Sequence, residues 1–463
     1  MTITTLSAAE LARRIRSGAL SPVDVVEAHI RRTEASHAAI NALVTPTFAQ
    51  ARREAQAAAA AVARGGPLGP LHGVPFTAKD SLDVAGVRST CGLTARSAHV
   101  PAADALVVAR LRAAGAILLG KTNTPDNCFD QETINLLFGR TNNPWDARRT
   151  SGGSTGGEAA LIAAGGSPLG IGSDIAGSIR LPAHFTGIAG LRPTSAALPE
   201  DGHWPPSRGR LADLQALGPM ARSVEDLALA FAIMRGDTPR PLDLAALRAQ
   251  PAAYWLSDGV VPASYAVRAA VKAAIGALER AGMAPVHAAP AARRFAVLGW
   301  NAYLRSEERL AIANGFGGGA RWALLGELWR ALRKHPRVTP GSLFYWCGAE
   351  ASSRLLGALH VDGAAWRAAL RAQVHALIGE GGVAISPIFP TSAPRHGWSR
   401  RALFLAMGYQ TWVNLAGLPG LAVPLGRAGN GMPVGVQIVG APGAERTVLA
   451  AGLAIEQAVQ AAR

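Results

Sequence analysis

Two serines set in glycine-rich backbone are the residues of this chain best suited to chemistry. Ser154 lies in Thr150-Ser151-Gly152-Gly153-Ser154-Thr155-Gly156-Gly157, and Ser178 in Gly172-Ser173-Asp174-Ile175-Ala176-Gly177-Ser178-Ile179-Arg180-Leu181-Pro182-Ala183. A serine hydroxyl is a weak nucleophile until a base takes its proton. Attack on a carbonyl also needs preorganised donors for the oxyanion. Glycine permits left-handed backbone and close approach of a ligand, so these strings suit acyl chemistry. A flexible linker has a similar composition, but the flanks argue against one. Residues 158–164 read as a buried helix and 167–172 as a short apolar strand.

Two motif matches fail on context. Gly152-Gly153-Ser154-Thr155-Gly156 fits G-x-S-x-G, yet that elbow needs a preceding hydrophobic strand. Residues 142–149 are polar and interrupted by Pro144. A phosphate-binding loop is excluded because no Gly-Lys-Ser/Thr follows the glycines.

The elements that must position these serines alternate along the chain. Residues 6–64 read as helices, with Ser7 and Glu10 forming a capping box and Pro22 in the first turn of a second helix. Residues 73–79 are strand-like. Residues 104–114 are helical, with Asp104 as N-cap and Gly115 as the stop. Residues 117–120 form a buried strand, and alternation continues to about 235. Residues 240–380 are more helical and carry Trp300, Tyr303, Trp322, Trp329, Phe344, Tyr345 and Trp346. These aromatics read first as helix packing and second as the wall of an apolar acyl pocket. Strands return at 383–387, 421–424 and 434–439. The pattern is that of an α/β protein with a buried mixed sheet.

Composition narrows the class. The chain has 463 residues, 49% hydrophobic, and no apolar stretch of the roughly 20 residues a membrane span needs. The N-terminus lacks the basic and apolar regions of a signal peptide, so a cytoplasmic location is expected. Cys91, Cys128 and Cys347 are few and far apart in sequence, with no disulfide or zinc spacing. No His-x-x-x-His pair or carboxylate cluster suggests a metal. The net charge is +15, but the basic residues are dispersed without a run of five, as on a solvated surface.

At the serine strings the chain resembles the amidase signature family of serine hydrolases. The likeness runs through 152–157, 172–183 and Gly190-Leu191-Arg192-Pro193-Thr194, and extends to 73–80, 138–145, 414–419 and 433–437. It thins over about 240–380. The resemblance implies a Ser–cis-Ser–Lys triad: Ser178 as nucleophile, Ser154 as the bridging serine on a cis peptide, and Lys79 as base. A lysine acts as base only when neutral, and burial disfavours its charged form. The run Val74-Pro75-Phe76 suits such burial. The resemblance also implies an oxyanion hole from the backbone N–H groups of Ile175, Ala176, Gly177 and Ser178. Ala176 stands where a glycine is usual, and Thr155 where a second serine is commoner, in a supporting role. Asp174 and Arg180 match positions that hold the loop. Asn127, Cys128 and Phe129 match residues near the acyl channel, with Cys128 read as an inert thiol because no local base or cation marks it.

The expected fold is α/β: one large domain over 1–463 with a central twisted mixed β-sheet flanked by helices on both faces. Its core spans 65–235 and 380–463, and its substrate-pocket region about 240–380. The expected function is hydrolysis of a carboxylic amide through an acyl–Ser178 intermediate. The aromatic region and Phe129 point to a hydrophobic acyl or aryl substrate. Glu158 and Ile175 look closer to fatty-acid-amide-hydrolase-like bacterial members than to the glutamine-using component of the tRNA-dependent amidotransferase. That component has Gln where this chain has Leu181. Acyl transfer, glutamine- and tRNA-dependent amidotransfer, and ester or carbamate hydrolysis on the same residues stay open, as does a catalytically silent binder. No cofactor is expected. The expected partner is a small-molecule amide, with no nucleic acid and no membrane span; a homodimer is left open.

Overall fold

Apolar runs bounded by turn residues become the strands of one eleven-stranded sheet in the computed structural model, which describes residues 2–397 and 406–461. The strands are β1 (Leu43–Pro46), β2 (Pro75–Lys79), β3 (Ile117–Thr122), β4 (Leu169–Asp174), β5 (Ala189–Arg192), β6 (Ala216–Ala221), β7 (Pro251–Tyr254), β8 (Ala284–His287), β9 (Val383–Pro387), β10 (Gly420–Arg427) and β11 (Pro433–Val439). Their spatial order is β1-β3-β2-β4-β6-β5-β10-β11-β9-β7-β8. β2 runs parallel to β3 and β4, and β7 to β8 and β9; the other pairs are antiparallel. The fold is therefore the expected α/β domain with a mixed central sheet flanked by helices.

The central strands are buried along their whole length, whereas edge strand β8 is exposed at every residue. Helix-covered interior strands read as continuous apolar runs, and edges need not. That is why the region read as helical conceals two sheet strands. β7 and β8 are short and flank a long helix, Tyr265–Arg280. β1 is likewise hidden among the N-terminal helices α1 (Ala8–Arg16), α2 (Pro22–Ile40) and α3 (Phe48–Arg64).

Local signals act largely as read. Ser7 Oγ accepts from Glu10 N–H at 3.1 Å, but the Glu10 carboxylate turns to Arg13 and Arg14 and leaves the reciprocal half of the box unmade. Pro22 opens α2. The Asp104 cap is a correction. α4 (Leu106–Ala113) starts after Ala105, while Asp104 accepts from the Ala85 N–H at 2.8 Å and pairs with Arg112. Asp104 thus braces a neighbouring loop.

Two short helices carry the fold to the serines. α5 (Gly156–Ala163) begins just after Thr155, and α6 (Arg180–Thr186) just after the Ser178 turn. The helix–sheet contact at α5 depends on glycine. A Cβ on Gly170 of β4 would sit 1.9 Å from Glu158 Oε1, and one on Gly172 2.5 Å from Thr155 Cγ2. β2 and β4 are parallel neighbours that end at Lys79 and Asp174. Carboxyl ends of parallel strands are where α/β sheets bind ligands.

Candidate active site

Lys79, at the end of β2, is fully buried, and its Nζ donates to Ser154 Oγ at 2.6 Å and to Ser173 Oγ at 3.0 Å. The Gly153–Ser154 peptide is cis, as the resemblance implied. The turn around it is braced by two threonines. Thr124 Oγ1 donates to Ser154 O at 2.9 Å, and Thr133 Oγ1 donates to Gly152 O at 2.8 Å. Thr155 joins the two serine loops. Its N–H donates to Ser178 O and its hydroxyl to Ser173 O, each at 3.2 Å. Ser178 is buried, and its hydroxyl makes no hydrogen bond to Ser154 in this conformation, though catalytic bonds often tighten only on substrate binding.

The loop after β4 is held by an ion pair. Asp174 and Arg180 are both fully buried and meet at 3.0 Å. Burial alone would raise the Asp174 carboxyl, but the Arg180 guanidinium and the Asn414 amide hold it well below the usual carboxylate range. Arg180 also donates to Asn414 Oδ1 at 2.6 Å and Gln437 Oε1 at 2.7 Å. The two loop residues named from sequence therefore come together.

One of the four proposed oxyanion donors is spoken for. The Gly177 N–H donates to Asp174 Oδ1 at 2.7 Å. The N–H groups of Ile175, Ala176 and Ser178 make no backbone or side-chain hydrogen bond among the described residues. These three residues line a narrow chamber of about 60 Å³ with Cys128, Phe129, Val297, Trp300, Tyr345, Ala349 and Met407.

The sequence-named channel residues divide. Cys128 and Phe129 line the chamber. Asn127 does not: it is buried and its Nδ2 donates to Ile312 O at 3.1 Å, so it fastens a neighbouring helix. The aromatic group divides too. Trp300 and Tyr345 face the chamber, Trp322 and Trp346 pack around Phe316, and Trp329 and Phe344 lie exposed.

Sequence reasoning passes over Ser173, whose signal is its place in Gly-Ser-Asp at the end of the strand beside β2. Asn414 and Gln437 stand out only inside matching segments, although buried amides near an ion pair are its natural partners. Gln131 and Asn301 also line the chamber. Both amide atoms of Gln131 and Oδ1 of Asn301 are buried without a partner among the described residues. No motif marks either.

Comparison with known proteins agrees with this geometry. The sequence pattern of the Amidase family matches residues 24–449. The chain is 35% identical to AtzE, a component of the 1-carboxybiuret hydrolase of Pseudomonas sp. (strain ADP), over 96% of this chain and 97% of that protein. It is 31% identical to fatty-acid amide hydrolase 2-B of Danio rerio, over 98% of this chain and 89% of that protein. Proteins of the glutamyl-tRNA(Gln) amidotransferase match along their length as well, one from Moorella thermoacetica at 34% identity over 98% of this chain and 97% of its own. The solved structure of 6-aminohexanoate cyclic dimer hydrolase complexed with substrate superposes with a TM-score of 0.79 at 27% identity, covering 100% of this chain and 99% of the other. A family-wide match to the sequence and a full-length match to the fold, on a site assembled from the family's own serine strings, identify the chain as a member of the amidase family.

Proposed function

We propose that this amidase hydrolyses carboxylic amides with a hydrophobic acyl or aryl group, using Ser178 as nucleophile, Ser154 as relay and Lys79 as base. The observation that carries this reading is the company Lys79 keeps. It is fully buried, and its hydrogen bonds go to two hydroxyls and to no carboxylate. Those two hydroxyls give the amine a path along which a proton can pass to and from a serine.

In this reading Ser178 Oγ attacks the carbonyl carbon. Its proton passes to Ser154 Oγ as the Ser154 proton passes to Lys79 Nζ. The oxyanion forms beside the uncommitted N–H groups of Ile175, Ala176 and Ser178. Gly177 acts by fixing the loop to Asp174. Collapse of the tetrahedral intermediate breaks the C–N bond, and the proton returns through Ser154 to the leaving nitrogen. Water then cleaves the Ser178 ester. Phe129, Ile175, Val297, Trp300 and Met407 on the chamber wall favour an apolar acyl side.

The likeness to an amidotransferase component favours a second reading, in which glutamine is the amide and its ammonia is passed on. A panel of short and long acyl amides, anilides, esters, carbamates and glutamine decides between them, run with and without Ser178→Ala. Turnover of apolar amides, lost with Ser178→Ala together with fluorophosphonate labelling, is expected. Unchanged hydrolysis by Ser178→Ala sinks the assignment, and glutamine turnover that requires a partner protein selects the second reading.

A further inference from the structure

Cys91 and Cys128, 37 positions apart, read in the sequence as unrelated thiols, one of them inert. The fold brings their sulfurs to 3.5 Å. Both residues have left-handed backbone, with φ of 52° and 59°, where non-glycine residues are uncommon. Their main chains are pinned to each other's surroundings. The Cys91 N–H donates to Asp80 O at 2.9 Å, and Cys91 O accepts from the Asn127 N–H at 3.0 Å. Cys91 is buried, while Cys128 is half-buried and lines the chamber. Cys128 Sγ also lies 3.5 Å from Thr124 Oγ1, the hydroxyl that braces the Ser154 carbonyl.

We propose that Cys91 and Cys128 are a peroxide-oxidisable pair whose disulfide reshapes the amide-binding chamber. The chamber gives a small peroxide a route to Cys128. The environments of the two thiols set their roles. Burial raises the Cys91 thiol well above its ordinary value. Burial acts upward on Cys128 too, but the contact with Cys91 and the nearby Lys79 and His203 outweigh it and pull that thiol well below its ordinary value. Cys128 is therefore the attacking sulfur and Cys91 the resolving one.

The Cys128 thiolate attacks one peroxide oxygen, giving a sulfenic acid and hydroxide. The Cys91 thiol then displaces the sulfenic hydroxyl, forming the S–S bond. Two thiols and one hydrogen peroxide become one disulfide and two waters; both sulfurs are oxidised and the peroxide oxygens reduced. The sulfurs close from 3.5 Å to about 2.05 Å. That displacement moves the Cys128 wall, with Phe129 behind it, and loosens the Cys128–Thr124 contact beside Ser154.

The effect on turnover rests on the amidase reading above; the thiol chemistry does not. The reduced protein is treated with hydrogen peroxide, its thiols are counted after denaturation, and its peptides are mapped by mass. The count falls from three to one, with a Cys91–Cys128 linked peptide and Cys347 still free. Apolar-amide turnover falls about tenfold to a hundredfold, the scale for a displacement of about 1 Å near reacting groups, and returns with dithiothreitol. Cys347→Ser behaves as the parent. Cys91→Ser forms no linkage and accumulates a dimedone-reactive Cys128. Thiols that all survive, or Cys347 oxidised first, overturn the pair. A linked peptide with unchanged turnover overturns its effect on the chamber. A protein that turns over no amide yet links reversibly overturns the amidase reading and upholds the pair.

Discussion

Two buried lysines stand on adjacent strands and have opposite company. Lys79 ends β2 and Lys121 lies in β3; the register pairs Lys79 with Thr122 and Ala78 with Lys121. Both are fully buried. Lys121 faces Asp80 at 3.4 Å and Ser89 Oγ at 2.8 Å. Burial pulls its ammonium down and pushes the Asp80 carboxyl up, and each opposes the other's shift. Thr90 adds further bonds to Asp80. Lys121 is a paired charge that closes the interior. Lys79 has only hydroxyls. The Glu158 carboxyl, which feels the Lys79 amine, is pushed up to about 8 by burial, so it is mostly neutral at pH 7. Identical side chains on adjacent strands thus keep different partners, and in the proposed reading those partners alone separate structure from chemistry.

The sharpest break of this comparison is a crossed pair of variants. Lys79→Met should lower amide turnover by about three orders of magnitude or more, as loss of a triad member does, with modest loss of stability. Lys121→Met should do the reverse. It strands Asp80 without its counter-charge, and breaking a buried pair costs about 3–5 kcal/mol, while the folded fraction keeps its turnover number. Urea unfolding and active-site-titrated kinetics on the same samples read both. If the two variants gave matching profiles, the distinction would collapse.

Much of this is legible in the sequence, and the limits are physical. The serine strings and the interior strands announce themselves, because glycine-permitted backbone and long apolar runs leave strong local patterns, while Lys79 and the loop pair Asp174 and Arg180 enter only through the family resemblance. What stays hidden comes from tertiary juxtaposition. Nothing local tells Lys79 from Lys121; Asp80 sits next to Lys79 in sequence yet pairs with the other lysine. Gly177 looks like a free donor because its bond to Asp174 exists only in the folded turn. Asn127, beside two chamber residues in sequence, points elsewhere.

Smaller changes sharpen the contrast. Ser173→Ala removes one of the two hydroxyls on Lys79 and should lower turnover about tenfold, the scale of one hydrogen bond of about 0.5–1.5 kcal/mol. Thr155→Ala should do less, since its N–H still holds Ser178 O. Equal and large losses from both would mean that the loops, and not the Lys79 bonds, govern the rate.

Glu158 tests the electrostatics. Its carboxyl rises from an ordinary 4.5 to about 8 in the fold, because burial outweighs the Thr77 and Thr122 hydroxyls that donate to it. Below about pH 4.5 it is protonated folded and unfolded, and its contribution to stability is complete. Between there and about 8 only the unfolded chain releases the proton, so stability falls as pH rises. Glu158→Gln should remove that slope, gaining on the parent in unfolding midpoint from about pH 5 to about pH 8. A constant offset across that range would show that Glu158 stays ionised.

The smallest expected effect carries the comparison to a neutral group. If partners decide whether a buried polar side chain serves structure or chemistry, Gln131 belongs with Lys79. Its carboxamide nitrogen and oxygen are buried without a partner among the described residues, and it lines the chamber. Its backbone packs on Gly153, where a Cβ would lie 2.7 Å from the Gln131 carbonyl carbon, so the residue itself is firmly placed. Gln131→Leu should leave stability unchanged or raised by about 1 kcal/mol, since an unsatisfied buried amide is removed. Turnover of purely apolar amides should change less than about threefold, while substrates bearing a second carboxamide should lose up to about tenfold in kcat/KM through a hydrogen bond no longer made. Matched pairs of such amides measure it. A uniform loss on both substrates, or a large loss of stability, would place Gln131 with Lys121 as a structural group.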